Sequence, residues 1–176
     1  MPESLLIRAA AAADDEAIDA IIRTAFACTK FGYQGEAELV RRIEADGDRL
    51  VSLVAETKGA IAGYVLFSRM DAEADGASIL AGGLAPVAVV PERQGQGIGD
   101  ALIRAGLAAL RASGVAISFV FGHETYYRRF GYSTVLAARF RSPFAGPHFM
   151  AMMLDSDAPW PLGGRADYAP AFGRMG

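Results

Sequence analysis

The stretch Val87-Ala88-Val89-Val90-Pro91-Glu92-Arg93-Gln94-Gly95-Gln96-Gly97-Ile98-Gly99 decides how the rest of the chain is read. An apolar run stops at Pro91, and a glutamine- and glycine-rich loop then opens a helix that runs to about Ser113, capped by Gly114. The first N–H groups of a helix have no partner inside it, and the helix dipole favours an anion there. Glycines let the backbone approach a phosphate without a Cβ in the way. Gly95, Gly97 and Gly99 therefore predict a ligand that carries phosphate. Spacing narrows the choice. A P-loop needs Gly-x-x-x-x-Gly-Lys-Ser/Thr, and the chain has no Gly-Lys pair. A dinucleotide fingerprint needs Gly-x-Gly-x-x-Gly, and counting from Gly95 its last position is Asp100.

Outward from this loop, Ile79 to Val90 reads as a strand that Gly82 and Gly83 allow to bend, and Ala116 to Phe121 as a buried strand. Strand, helix and strand in that order imply a parallel pair with a right-handed crossover. The intervening helix is polar only along the stripe Asp100, Arg104 and Arg111, so it packs against a sheet. Upstream, Leu5-Leu6-Ile7 is a first strand. Asp14, Asp15 and Glu16 mark the start of a helix whose apolar face is Ala17, Ile18, Ile21, Ile22, Ala25 and Phe26. A loop from Thr29 to Gly35 leads to a second helix, Glu36 to Ala45, ended by Gly47. Leu50 to Glu56 and Ile61 to Phe67 form a hairpin about Thr57-Lys58-Gly59, and Asp71 to Gly76 reads as a loop. Downstream, Thr125 to Phe130 is a short helix stopped by Gly131. Val135 to Phe140 and Phe149 to Leu154 make a final antiparallel pair. The fold class is therefore α/β (α+β), with a mixed central sheet of about six to seven strands flanked by about four helices.

The 176 residues suit one domain, 1–176, with its core at about residues 5–154. Hydrophobic residues make up 52% and charged residues 21%, enough apolar surface to bury a core. A net charge of −3 without a basic stripe argues against a nucleic-acid surface. Cys28 is the only cysteine, so no internal disulfide forms. Met1-Pro2-Glu3-Ser4 lacks a basic leader, and no apolar run reaches the ~18–20 residues that span a bilayer. A cytoplasmic protein without membrane contact is expected. Neither the paired-histidine, paired-cysteine nor Gly-x-Ser-x-Gly patterns occur, so no metal and no serine hydrolase is expected.

The quoted stretch resembles motif A of the GNAT superfamily of N-acetyltransferases, which reads Gln/Arg-x-x-Gly-x-Gly/Ala after a strand; Gln94, Gly97 and Gly99 fill its defined positions. Phe121-Gly-His-Glu-Thr-Tyr126-Tyr127-Arg-Arg-Phe130-Gly131-Tyr132 is similar to the family's motif B, with Tyr132 in place of the usual Phe. Leu84-Ala-Pro-Val-Ala-Val-Val-Pro91 and the Tyr-Tyr-x-Arg-Phe-Gly run resemble the YhbS-like branch of predicted acetyltransferases. The resemblance runs from Ile7 to about Leu154 and is weakest in the tail after Asp155.

What it implies is a GNAT fold and an acetyl-CoA-dependent N-acetyltransferase acting on a primary amine of a small molecule or peptide, as a monomer or homodimer. By resemblance, Gln94, Gly95, Gln96, Gly97, Ile98 and Gly99 hold the pyrophosphate. Val87, Ala88 and Val89 lie along the pantetheine arm, with Val87 and Val89 bonding it and Val89 N–H aimed at the thioester carbonyl. Tyr127, near the CoA sulfur, is the candidate general acid. Glu36, which opens the second helix, and Glu124, next to Tyr127, are the candidate general bases, each acting through water. His123, at a strand end, is a further site candidate, with His148 the only other histidine. Phe31, Tyr33, Arg139, Arg141, Phe149 and Met150 are expected to shape the acceptor wall. Two other readings compete: a non-catalytic acyl-CoA-binding or regulatory module, and a nucleotide-binding protein with an unusual loop.

Overall fold

A computed structural model describes residues 4–174. The Met1-Pro2-Glu3 start, read above for its lack of basic residues, lies outside them. The elements are β1 (Leu5–Ala9), α1 (Asp15–Ala27), α2 (Glu36–Asp46), β2 (Arg49–Thr57), β3 (Ala60–Ala74), β4 (Ala77–Val89), α3 (Ile98–Ala112), β5 (Ile117–Phe121), α4 (Glu124–Tyr127), α5 (Thr134–Ala137), β6 (Phe140–Arg141), β7 (Phe149–Met153) and β8 (Gly164–Asp167). The strands make one mixed sheet of eight, ordered β1-β2-β3-β4-β5-β7, with β8 on β3 and β6 on β8. Among the described residues no helix is long and apolar enough to cross a membrane.

Alternation along the central strands sends successive side chains to opposite faces. Ala55, Val65 and Phe67 point to α3, whose Leu102, Ile103 and Leu110 are fully buried against them. Each such side chain contributes about 1.5–3 kcal/mol by leaving water. Val54, Tyr64, Leu66 and Ala88 face α1 and α2. The hairpin joining β2 and β3 turns at Lys58 and Gly59, both with positive φ, as a two-residue turn requires.

Three expectations are corrected. Asp71 to Gly76 is not a loop: β3 continues to Ala74 and turns at Asp75-Gly76 into β4. Here Met70 and Ala72 are buried while Asp71 is exposed, the period-two pattern of a half-covered strand. Val135 to Phe140 is not one strand: Thr134–Ala137 is a helical turn capped by Ser133 Oγ, which accepts the Val135 and Leu136 N–H groups at 3.2 Å each. β7 consequently pairs antiparallel with β5, from Ile117↔Met153 to Phe121↔Phe149. Thirdly, the core does not stop near Leu154. β8 pairs with β3 from Asp71↔Asp167 to Ala74↔Gly164, beyond the residues where β2 pairs with it, and Ala166, Tyr168, Ala169 and Ala171 are buried. Arg165 fixes the strand by donating to Asp71 at 3.0 and 3.2 Å and to Glu73 at 3.2 Å.

Candidate functional site

β4 and β5 run side by side only from Ala81↔Ile117 to Leu84↔Val120. β4 then continues for five residues, Ala85 to Val89, held on its other side by β3 alone. Backbone groups of successive strand residues alternate between the two neighbours. Val90 N–H donates to the Ala62 carbonyl at 2.9 Å, and Gly63, Tyr64 and Val65 stand opposite Val89, Ala88 and Val87. Val90 and Ala88 therefore face β3. Val87 and Val89 turn their N–H and C=O groups into the gap that β5 has left. Of the three strand residues expected to meet a ligand, Ala88 gives its backbone to β3 and its side chain to the α1 face. Val87 and Val89 line an open strand edge.

The glycine loop closes one end of this gap. Gly95 and Gly97 have φ of +75° and +86°, a region that side chains other than glycine avoid, and a Cβ on either would project into open space. Gly97 is the N-cap of the fifteen-residue α3 and supplies no side-chain cap, so the first amides of that helix face outward. Gln94 donates from Nε2 to the Val89 carbonyl at 3.0 Å, which ties the loop to the end of β4, and Gln96 donates to the Glu92 carbonyl at 3.3 Å. The Ile98 side chain is buried in the core and anchors the helix start.

α4 lies across the same end. Tyr126 Oη is 3.2 Å from the position a Cβ would take on Gly99 and donates to Asp100 Oδ1 at 3.2 Å. Arg129 pairs with the other Asp100 oxygen and stacks its guanidinium over the Tyr126 ring at 5.2 Å. Burial, then the Asp100 charge, pushes the Tyr126 phenol up to about 12. Tyr127 packs on Gly122, where a Cβ would stand 2.5 Å from its Cε2, and meets the rings of Tyr126 and Tyr132 at 4.9 and 6.0 Å. Burial pushes its phenol well above the ordinary tyrosine value, with Tyr126 adding to it. A neutral phenol at any physiological pH is the consequence.

The other candidates are placed less centrally. Glu36 accepts the Gln34 N–H at 2.8 Å at the head of its own helix, and Glu124 is exposed on the first turn of α4. Tyr33 bonds Glu38, whose carboxyl that hydrogen bond and Arg23 hold down to about 2. Phe31 is exposed, Arg141 lies on β6, and Arg139 donates to the Pro161 carbonyl at 2.8 Å. Phe149 and Met150 do not shape a wall: both are fully buried on β7, beside β5 in the sheet. His123 and His148 stand together at the end of β5, ring centres 6.3 Å apart, with His148 Nδ1 3.2 Å from the Gly122 carbonyl oxygen. Among the described residues no cluster of histidine, cysteine or carboxylate side chains could hold a metal ion. A cavity of about 650 Å³ lies elsewhere, between α1, α2 and the β2–β3 face, and contains none of the expected residues.

Sequence reasoning missed three residues of this region. Asp100 was legible only as part of a polar stripe and Arg129 only as the Arg of the Tyr-Tyr-x-Arg-Phe-Gly run, and no local pattern pairs positions so far apart. Tyr168, from the tail, arrives beside Gly83 on β4.

Comparison with known proteins bears on this arrangement. The family model described as an acetyltransferase (GNAT) domain matches residues 7–135. The chain is 34% identical to the uncharacterized N-acetyltransferase YhbS of Escherichia coli K12, over 97% of this chain and all of YhbS. It is 42% identical to the uncharacterized N-acetyltransferase YjhQ of the same organism, over 58% of this chain and 58% of YjhQ. The solved structure of E. coli YhbS in complex with CoA superposes with a TM-score of 0.86 at 31% identity, covering 100% of this chain and 96% of that one. A GNAT family acetyltransferase from Brucella melitensis in complex with acetyl-CoA superposes with a TM-score of 0.79 at 34% identity, covering 97% and 99%.

Proposed function

The chain belongs to the acetyltransferase (GNAT) family, and from that premise we propose that it transfers the acetyl group of acetyl-CoA to a primary amine of a small molecule or peptide. The observation that carries this reading is the open β4 edge at Val87 and Val89, running straight into the uncapped N-terminus of α3 at Gly97. A ligand that fits both must present amides at one end and phosphates at the other, as pantetheine pyrophosphate does. ATP and NAD offer phosphate but no arm to pair with a strand. The two relatives crystallised with CoA or acetyl-CoA support the same assignment.

Acetyl-CoA supplies an activated acyl group as a thioester. The chain supplies the rest. Amides from Gln94 to Gly99 bind the pyrophosphate, and the dipole of α3 adds to that attraction. Val87 hydrogen-bonds the arm as a neighbouring strand would. Val89 N–H stands in the gap as the donor to the developing oxyanion; one fixed donor of this kind is worth ~3 kcal/mol. Tyr127 keeps its proton because its part-buried phenol is poorly solvated, and gives it to the departing sulfur. The amine needs no strong base if it enters neutral; Glu124, exposed at the start of α4 three residues before Tyr127, is better placed than Glu36 to take its proton through water. The whole chain acts as one domain, in the cytoplasm and without a metal.

The alternative is a module of the same fold that binds acyl-CoA without turnover. Release of free thiol from acetyl-CoA separates the two. Thiol released with an amine panel at a rate proportional to enzyme supports catalysis. Tight acetyl-CoA binding with no thiol released supports the module.

A further inference from the structure

Two buried side-chain hydroxyls, those of Ser68 and Tyr168, have no hydrogen-bond partner among the described residues. A buried hydroxyl left unpaired is destabilising, because it has given up its hydrogen bonds to water without replacing them. Tyr168 is the informative one, because β4 makes room for it. Its ring lies on Gly83, where a Cβ would stand 2.6 Å from Cε1. Gly83 is the residue before Leu84, the last β4 residue paired with β5. The neighbouring Gly82 faces Leu110 of α3, so Gly83 and Tyr168 lie on the opposite face. Burial, and next the hydroxyls of Tyr132 and Tyr127, push the Tyr168 phenol up.

An aromatic strip leads from Tyr168 to the surface on that face. Its ring centre is 4.8 Å from that of Phe144, Phe144 is 5.9 Å from Phe121, and Phe121 is 5.8 Å from His148. Phe121 ends β5 with 52% of its surface exposed, unusual for a phenylalanine in a sheet.

We propose that Tyr168 and the strip Phe144–Phe121–His148 form the acceptor subsite, for a primary amine carried on an aromatic or alkyl body. The inference rests on the acetyltransferase reading. The Tyr168 oxygen accepts an N–H of the amine and so points the nitrogen lone pair at the thioester carbon. The C–N bond forms, the C–S bond breaks, sulfur takes a proton from the α3 side, and nitrogen gives one up to water. Nucleophile and leaving group thus occupy opposite faces of the split. The body of the acceptor lies along Phe144 and Phe121, moving the part-exposed Phe144 ring aside.

The test compares wild type, Tyr168→Phe and Phe121→Ala in thiol release from acetyl-CoA, with benzylamine and methylamine as acceptors. Tyr168→Phe removes a hydroxyl that bonds none of the described residues, so the thermal midpoint and acetyl-CoA affinity should hold or rise slightly. kcat/KM should fall roughly tenfold for both amines, the loss of one hydrogen bond. Phe121→Ala should lower kcat/KM severalfold for benzylamine and leave methylamine alone. A Tyr168→Phe enzyme with wild-type kcat/KM overturns the amine contact. Equal wild-type kcat/KM for both amines, or a Phe121→Ala effect on both alike, overturns the strip. If wild type binds acetyl-CoA but releases no thiol above the enzyme-free rate with either amine, the acetyltransferase reading falls and the subsite with it.

Discussion

Tyr126 donates its hydroxyl hydrogen to Asp100 Oδ1 at 3.2 Å, and this bond pins the helical turn after β5 to the first turn of α3. Asp100 is an acid placed beside amides that are proposed to bind pyrophosphate, and Arg129 neutralises it. The bond and the ion pair together make the anion site tolerable to its own acidic residue.

The first prediction tests that balance. Arg129→Ala leaves the Asp100 charge uncompensated near the pyrophosphate, a repulsion of roughly 1 kcal/mol in a partly solvated site. Acetyl-CoA affinity measured by calorimetry at low salt should weaken about fivefold, and adding Asp100→Asn should restore it. High salt should shrink both effects. Unchanged affinity in the single variant would count against pyrophosphate binding next to Asp100.

Gly97→Glu is the second. Gly97 has φ +86° with open space around a Cβ, so the substitution costs only the ~1–2 kcal/mol of left-handed backbone strain and the fold should survive. A carboxylate would then enter the phosphate site, and acetyl-CoA binding should drop below detection. A folded variant that binds acetyl-CoA as wild type does would sink the loop assignment.

The third concerns Tyr127→Phe. The ring and its packing on Gly122 are kept. Loss of the general acid should lower kcat by ~10²–10³ with acetyl-CoA affinity nearly level. Because burial raises the phenol pKa, the wild-type enzyme should keep its acid form, and hence its rate, up to about pH 10 rather than lose it there. Wild-type kcat in the variant, under conditions where chemistry limits, would remove Tyr127 from the mechanism.

A fourth prediction is about stability. Arg8 on β1 donates to both Asp14 oxygens, at 2.7 and 3.0 Å, and Asp14 also accepts the Ala11 N–H at 2.8 Å. These bonds, Arg8 first, hold its carboxyl down from the ordinary 3.8 to about 2. The folded pKa lies below the unfolded one, so this stabilisation is complete above about pH 4 and is lost as pH falls toward 2. Asp14→Asn should destabilise the chain by about 1 kcal/mol at neutral pH, and denaturant titrations at descending pH should show the difference closing below pH 4. A difference independent of pH would mean that charge is not what Asp14 contributes.

Some of the chain announced itself locally. Gly95 and Gly97 were legible because a positive φ next to a helix start admits few other residues, and Lys58-Gly59 because a two-residue hairpin demands it. The α3 stripe was legible because the face opposite it, Ile98, Leu102, Ile103, Gly106, Leu107 and Leu110, is buried. The reading went astray where a local signal was overlooked or weak. Ser133 caps a helical turn that β-branched residues disguised as a strand, and the alternation of Met70 to Ala74 was outweighed by three acids.

By itself the sequence determined the glycine loop, the strand–helix–strand around it and the tyrosine pair after β5, each set by neighbours in the chain through backbone freedom, side-chain period and helix-end chemistry. It also carried the family resemblance that the match over residues 7–135 bears out. Only the tertiary structure decided that β5 leaves β4 at Leu84 and frees the edges of Val87 and Val89, that Arg129 neutralises Asp100, and that a tail tyrosine lands on Gly83. The physical reason is separation along the chain. Tyr168 and Gly83 are brought together by β8 pairing with β3, a contact whose closure entropy is offset by burying the tail, and no short window of sequence contains both sides of it.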